Sequence, residues 1–562
     1  MPAGGVVRTS DLRDPRIPFI GRSPGQGETE LGALSLGERF WIPDQAAADR
    51  LRGYQKAERL LDVDNHYGLY RETFPGAKAL DESNWIPVDF PGMMARLVRH
   101  YAFGEDFSVR ARRQGSQPQI DRIYSHSGFR SLASQVAESL PVLGDAVLRV
   151  DIEDVPEDEV SDVSGTELIP QAVIRYVHPG HFFPDFDPLD GTQVNGVTLA
   201  WVLPTPSGME GLVGMPMLVL REIHTLEEGD DGRMAGQVAY RLNAWDGHTT
   251  GEEVAVSQLF PDLEDGPTGI DEIPIVHIGY NRMAGKFFGR SEFQRILRIV
   301  LALENRFGQE DEALERHARP KLIVGPGVLD ERGQARLADF DVIEIDPSVL
   351  EKAIKPEYLT WDMQIGGIQH EIEKLEEYLF MTTETSPASF GLERDGSQVE
   401  SARALRFKAH RTVNKIIDLR QGELEDDIRR LFRVAQKLEL AARTEDDLPA
   451  YTRTAIDMVW PDPIIEDQSA EVIDYSTLKG AHLVSRRRAV GDLFQLDPRA
   501  ADREVQEILQ DMVDESAAAS VARPAGPGAT GEEFPEAGSA PPPGAPAPGE
   551  QPPEGVTPGE TA

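Results

Sequence analysis

The chain has 562 residues, with 57 Lys+Arg against 96 Asp+Glu, a net charge of −39 and 40% hydrophobic residues. At roughly 150 residues per domain, that length predicts three or four folded units, and the composition excludes a collagen-like or wholly disordered chain. The absence of cysteine rules out a disulfide scaffold, a thiolate-held zinc or iron–sulfur site and a cysteine nucleophile, and fits folding inside a cell or in an assembly made there.

The N-terminus mixes Arg8, Asp11, Arg13, Asp14 and Arg16 with no apolar core, so it does not read as a signal peptide. The most apolar stretch, from Ile296 to Leu303, is cut by Arg298 and is far short of the about 20 residues a bilayer needs. A protein that grips DNA carries a basic face. Here the dense basic runs are Arg110-Ala111-Arg112-Arg113 and Arg486-Arg487-Arg488. The surface therefore repels phosphate on average, and any relation to nucleic acid is a non-adhesive one.

In chain order, a Gly- and Pro-punctuated arm precedes a helix expected from Gln45 to about Tyr70, on the spacing of Leu51, Tyr54, Leu60 and Leu61. A second helix is expected from Pro91 through Met94, Leu97, Val98 and Tyr101. Between Val142 and His277, β-rich segments bounded by turns predict a sheet domain. Ser291-Glu292-Phe293-Gln294 is a capping box that opens a helix reaching His317, with Pro320 as its stop. Short strands follow at Lys321 to Val324 and Asp341 to Ile345, and then a helix from Ile368 to Thr383. That helix keeps Ile368, Ile372, Leu375 and Leu379 on one stripe and its acids largely off it. A turn-rich loop runs from Ser386 to Gly396. A second capping box, Ser397-Gln398-Val399-Glu400, opens a helix to Arg443 that is roughly 65–70 Å long. From Arg523 onward, Pro and Gly dominate and the segment reads as a disordered tail. Its six Glu and one Arg give −5, so residues 1–522 carry −34 and the acidity belongs to the folded part.

No catalytic, cofactor or metal residues are assigned. His178, His181, Asp185 and Asp187 could ligate a metal, but Pro179 and Gly180 break the helix that would align them, and a packed turn is the favoured reading. His370-Glu371 lacks the second His of a zinc-protease motif, since Lys374 stands there. Gly285-Lys286 lacks the first Gly and the Ser/Thr of a phosphate loop. Arg403, Arg406 and Lys408 lie in the first turns of the long helix. Cations there oppose the helix dipole, which points either to an ordinary solvated helix surface or to an external anion, acids of a neighbouring chain or nucleic-acid phosphates.

Asn281-Arg282-Met283-Ala284-Gly285-Lys286-Phe287-Phe288-Gly289-Arg290-Ser291-Glu292-Phe293 and Arg316-His317-Ala318-Arg319-Pro320-Lys321-Leu322 resemble the portal proteins of tailed, siphophage-type bacteriophages. Thr383-Glu384-Thr385-Ser386-Pro387-Ala388-Ser389-Phe390-Gly391-Leu392, Ser401-Ala402-Arg403-Ala404-Leu405 and Gly480-Ala481-His482-Leu483-Val484-Ser485 extend the likeness over roughly residues 45–515. The resemblance implies an α+β multidomain portal fold, without enzyme activity or cofactor. It implies a ring of about twelve subunits at one capsid vertex, assembled in the host cytoplasm, through which double-stranded DNA passes without tight binding. It divides the chain into an arm (1–44), wing (45–284), stem helix (285–318), clip (319–362), second stem helix (363–384), tunnel loop (385–396), long wing helix (397–444), crown (445–516) and tail (517–562). The implied partners are further copies of the chain, the terminase large subunit, a head-completion adaptor, and the major capsid and scaffolding proteins, with no membrane. Glu373, Glu377 and Arg394 become channel-lining candidates. Ser386, Pro387, Phe390, Gly391, Asp395 and Gly396 fall in the tunnel loop, and Arg403, Arg406 and Lys408 become phosphate or inter-subunit contacts. Two alternatives are a monomeric acidic metal-dependent hydrolase built on His178, His181, Asp185 and Asp187, and another oligomeric virion component.

Overall fold

Short polar side chains set the helix starts in this chain. Asp44 accepts a hydrogen bond from the Ala47 amide at 2.7 Å and opens α1 (Gln45–Leu61). The computed structural model describes residues 39–77, 80–104, 107–156, 168–206, 217–228, 234–318, 321–324, 342–344, 357–359, 365–392, 402–443, 452–460, 475–479, 481, 483–493 and 498–521. The arm, the tail and much of the expected clip lie outside these residues.

Where one helix is expected to Tyr70, there are two. Asp62 turns extended and bonds the Asp64 amide and the Asn65 side chain. This inserts a 3-10 turn, Val63–Asn65, before α2 (His66–Thr73), because Asx side chains offer the backbone a competing partner. Asp89 caps α3 (Phe90–Ala102) through the Gly92 amide, with Pro91 in the first turn as expected. After β1 (Ser108–Ala111) come α4 (Gln117–His126) and α5 (Phe129–Leu143), which the sequence pattern does not anticipate. Gly144 ends α5 at φ 88°, and a Cβ there would lie 2.6 Å from the Ser291 amide nitrogen. Only glycine suits both the left-handed backbone and the close approach.

The sheet region is β2 (Asp145–Pro156), β3 (Leu168–Val177), β4 (Phe182–Phe186), β5 (Val194–Pro204), β6 (Met217–Glu228), β7 (Met234–Trp245), β8 (Thr250–Val254), β9 (Gly266–Pro267) and β10 (Ile275–Gly279). One antiparallel sheet has the order β10-β2-β3, and a six-stranded one runs β4-β5-β6-β7-β8 with β9 on β7. This matches the sheet domain expected over 142–277.

α6 (Glu292–Ala318) follows, and then β11 (Lys321–Val324), β12 (Val342–Glu344) and β13 (Glu357–Leu359), ordered β12-β11-β13. α7 (Ile365–Thr383) runs antiparallel to α6, since Arg306 pairs with Glu371 and Glu310 with Gln369. α8 (Ala402–Asp418), a π-helical turn at Leu419–Leu424 and α9 (Glu425–Ala442) together form the long helical path, about 60 Å at 1.5 Å per residue. The expected uninterrupted helix thus carries a π-turn, and its expected capping box lies outside the described residues. β14 (Ile456–Val459) pairs antiparallel with β1.

Two apolar clusters hold these elements. Ile428, Leu431 and Phe432 of α9 pack among Ile120, Phe129, Val136, Leu148 and Ile174. Leu51, Tyr54, Leu60, Met94, Phe293, Ile296, Val300 and Leu379 join α1, α3, α6 and α7. Each such side chain contributes about 1.5–3 kcal/mol on burial. The chain divides into two compact units, residues 1–466 and 467–562, and everything above belongs to the first. In the second, α10 (Arg486–Leu493) packs on α11 (Pro498–Val521), with Val490 and Ala501 buried and Arg487 2.9 Å from Asp502. Among the described residues no helix is long and apolar enough to cross a membrane.

Candidate functional site

The hairpin of α6 and α7 and the segments that clamp its base form the site. Ser291 accepts from the Gln294 amide at 3.1 Å, as its capping box predicts, and its own hydroxyl donates to the Val142 carbonyl. Gly289 fits only as glycine, because a Cβ would lie 1.9 Å from the Gly144 carbonyl oxygen and 2.4 Å from the Tyr280 nitrogen. Asp145 anchors this crossing by accepting from His277 Nε2 (2.7 Å), Tyr54 OH (2.5 Å) and the Gly289 amide (2.8 Å). Burial pushes the Asp145 carboxyl up, but these donors outweigh it and hold its pKa below the usual value. Desolvation in turn pulls His277 down against the attraction of Asp145.

Higher on α6, the buried Glu304 accepts from His66 Nδ1 at 2.7 Å and from the Val88 amide at 2.9 Å. His66 Nε2 faces the Leu60 carbonyl at 2.7 Å, so the ring has an oxygen acceptor at each nitrogen. Burial lowers its pKa, and the Glu304 carboxylate more than reverses that, leaving it raised. Lys415 of α8 ties the end of the hairpin, reaching Glu292 at 2.5 Å and the Thr383 carbonyl at 2.7 Å.

The site residues expected from sequence fall out as follows. Glu373 and Glu377 are exposed on α7, on the side away from buried Ile372 and Leu379. Ser386 and Pro387 begin a turn that is packed: Pro387–Phe390 is a 3-10 helix ended by Gly391 at φ 71°. The Ser386 amide donates to Thr412 Oγ1 at 2.9 Å, and the Phe390 ring sits 5.6 Å from Phe90 and 5.8 Å from Phe380. Arg394, Asp395 and Gly396 lie outside the described residues. Arg403 and Arg406 fall within the first turns of α8, and Lys408 is exposed. His178 caps a 3-10 turn and bonds Glu58 at 2.7 Å, while buried His181 bonds the Ala200 carbonyl. Desolvation, with the nearby His178, pushes the pKa of His181 down to about 3. Among the described residues no group of three or more His, Asp or Glu is arranged to hold a metal.

Sequence reasoning missed Asp145, His277, Tyr54, the His66–Glu304 pair and Lys415. The available signal was faint: polar residues inside otherwise apolar segments, as with His277 amid Ile275, Val276 and Ile278. Their partners are up to 238 residues away in sequence.

Residues 45–518 match the family described as "Phage portal protein, SPP1 Gp6-like", and the chain belongs to that family. No curated protein matches the chain. Solved structures that resemble it include a chain of the "Virion of native gene transfer agent (GTA) particle", at 11% identity and TM-score 0.34, covering 78% of this chain and 95% of that one.

Proposed function

We propose that this portal protein forms a ring at one capsid vertex and that the α6–α7 hairpin lines the channel for DNA packaging and ejection. The observation that carries this reading is the division of labour on α7: one stripe is buried against α6, while Glu373 and Glu377 face away from it. Phosphate-repelling walls keep a moving polyanion from sticking. In this reading Arg394, Arg403, Arg406 and Lys408 supply weak phosphate or inter-subunit contacts. Residues 319–362 dock the terminase large subunit and later the head-completion adaptor, and the major capsid and scaffolding proteins surround the ring.

The test is the double variant Glu373→Lys/Glu377→Lys, examined by negative-stain microscopy, native mass spectrometry and a DNA-packaging assay. Rings with a DNA-wide hole and a packaging yield reduced at least tenfold are expected. Unchanged packaging by intact variant rings overturns the acidic-wall assignment.

A further inference from the structure

The described residues leave two unlike surfaces uncovered near the end of the hairpin. On α7, Tyr378 and Met381 are 52% and 53% exposed. At about 100° per residue Met381 lies about 40° around the helix from Glu377, so the apolar strip borders the acidic one. Glu384 extends the strip just past the helix end. It is exposed, at φ 55°, and has no hydrogen bond or ion pair among the described residues. The last turn of α7 contains no basic residue of its own; Lys415 of α8 reaches the Thr383 carbonyl beside it, and the Glu384 side chain stays exposed.

On α8 the signs are reversed. Its first turn has no acid, and Arg403 and Arg406 follow the helix start. Phe407 is 83% exposed, and Arg411 beside it on the same face is exposed without a partner among the described residues. Lys415 and Thr412 are the α8 side chains that bond the end of the hairpin and the turn after it. Phe407 lies five residues, about 7.5 Å along the helix, before Thr412, which bonds the turn after the hairpin. Lone exposed apolar residues are ordinary. Here, though, an exposed aromatic with a cation beside it and an apolar strip with an acid beside it sit on one chain and are opposite in sign.

We propose that the Tyr378–Met381–Glu384 surface of one copy receives the Phe407–Arg411 surface of the next. The occupant of each surface is thus a second copy of this chain. Contacts between two different patches repeat head to tail and close into a ring when the rotation allows. Glu384 then faces Arg411, and Phe407 is buried. The proposal rests on the ring reading above and adds the surfaces that make the ring.

Because the natural chain has no cysteine, disulfide trapping is clean. In full-length Met381→Cys/Phe407→Cys protein, oxidation should give a ladder of covalent multimers on a denaturing gel. Each single variant should stay monomeric on that gel. A mixture of the two single variants should give dimers and nothing larger. Phe407→Asp should raise the concentration needed for assembly by roughly tenfold or more, with an unchanged far-UV spectrum. Rings without cross-links, with Phe407→Asp assembling normally, overturn the pairing but leave the ring reading standing, and assign these surfaces to another partner. A disulfide closed within one chain, or single variants cross-linking as well as the double, also overturns it. Absence of rings in the unmodified protein overturns the ring reading itself.

Discussion

His66 and Glu304 form an ion pair from which water is excluded, between the α1–α2 connection and the middle of α6. Removing one partner of such a pair strands a buried charge and costs about 3–5 kcal/mol, whereas matched apolar replacement of both is far milder. The pKa of His66 is raised on folding, so the pair's contribution is fully present below about 6.5 and is lost as pH rises through the folded value. Thermal melts across that range should show the unmodified protein losing more stability with rising pH than Glu304→Gln does. Parallel melting curves would sink the assignment. Asp145 has the opposite sign: its lowered pKa makes its contribution present near neutrality and lost in acid.

At the scale of the element, the π-turn at Leu419–Leu424 is the notable departure from regular helix. It places Arg420 so that its guanidinium donates to the Tyr101 and Ala102 carbonyls, closing the C-terminus of α3, with Trp460 against its other face. The same turn pushes Glu423 against the loop that leads into α6, where the Asn281 amide, at φ 50°, donates to it at 2.5 Å. Burial lifts Glu423 to about 7 and Asp427 to about 6, in spite of the neighbouring Arg282. A carboxyl whose pKa rises on folding destabilises the fold when ionised, and that penalty fades as pH falls through the folded value. Glu423→Gln should therefore raise the melting temperature at pH 8 by more than it does at pH 5. An equal gain at both pH values would show that Glu423 is not the group that titrates.

At the scale of the whole molecule, the charge of −34 on residues 1–522 sets how the protein meets DNA. Binding that neutralises phosphates strengthens steeply as salt falls, so a basic protein of this size would retain duplex DNA on a filter at low ionic strength. The assembled portal protein should retain none beyond background even there. Salt-sensitive retention would mean that the cations after Ser401 face the DNA; its absence would favour contacts between subunits.

Helix α6, the α7 stripe and the sheet region were legible in the sequence because their periodicity and caps are local. Ser291, Ile296 and Ile372 state their roles within a few residues of chain. Within the segment from Asn281 to Phe293 that carries the family likeness, Gly289 packs against Gly144 so closely that a side chain does not fit. α4 and α5 were not read, nor was the π-turn, since which residues pack across from Ile120 or Arg420 is decided by elements hundreds of positions away. The same holds for Asp145 with His277 and Tyr54, and for His66 with Glu304. A lone polar residue in a sequence carries no sign of its partner. The sequence by itself determined the acidity and the main helices, which follow from composition and short-range pattern, and pointed to the class of protein through resemblance to a known family. Tertiary structure decided which charges are buried in pairs and which surfaces are left for another chain, because desolvation and long-range packing exist only once the chain has folded.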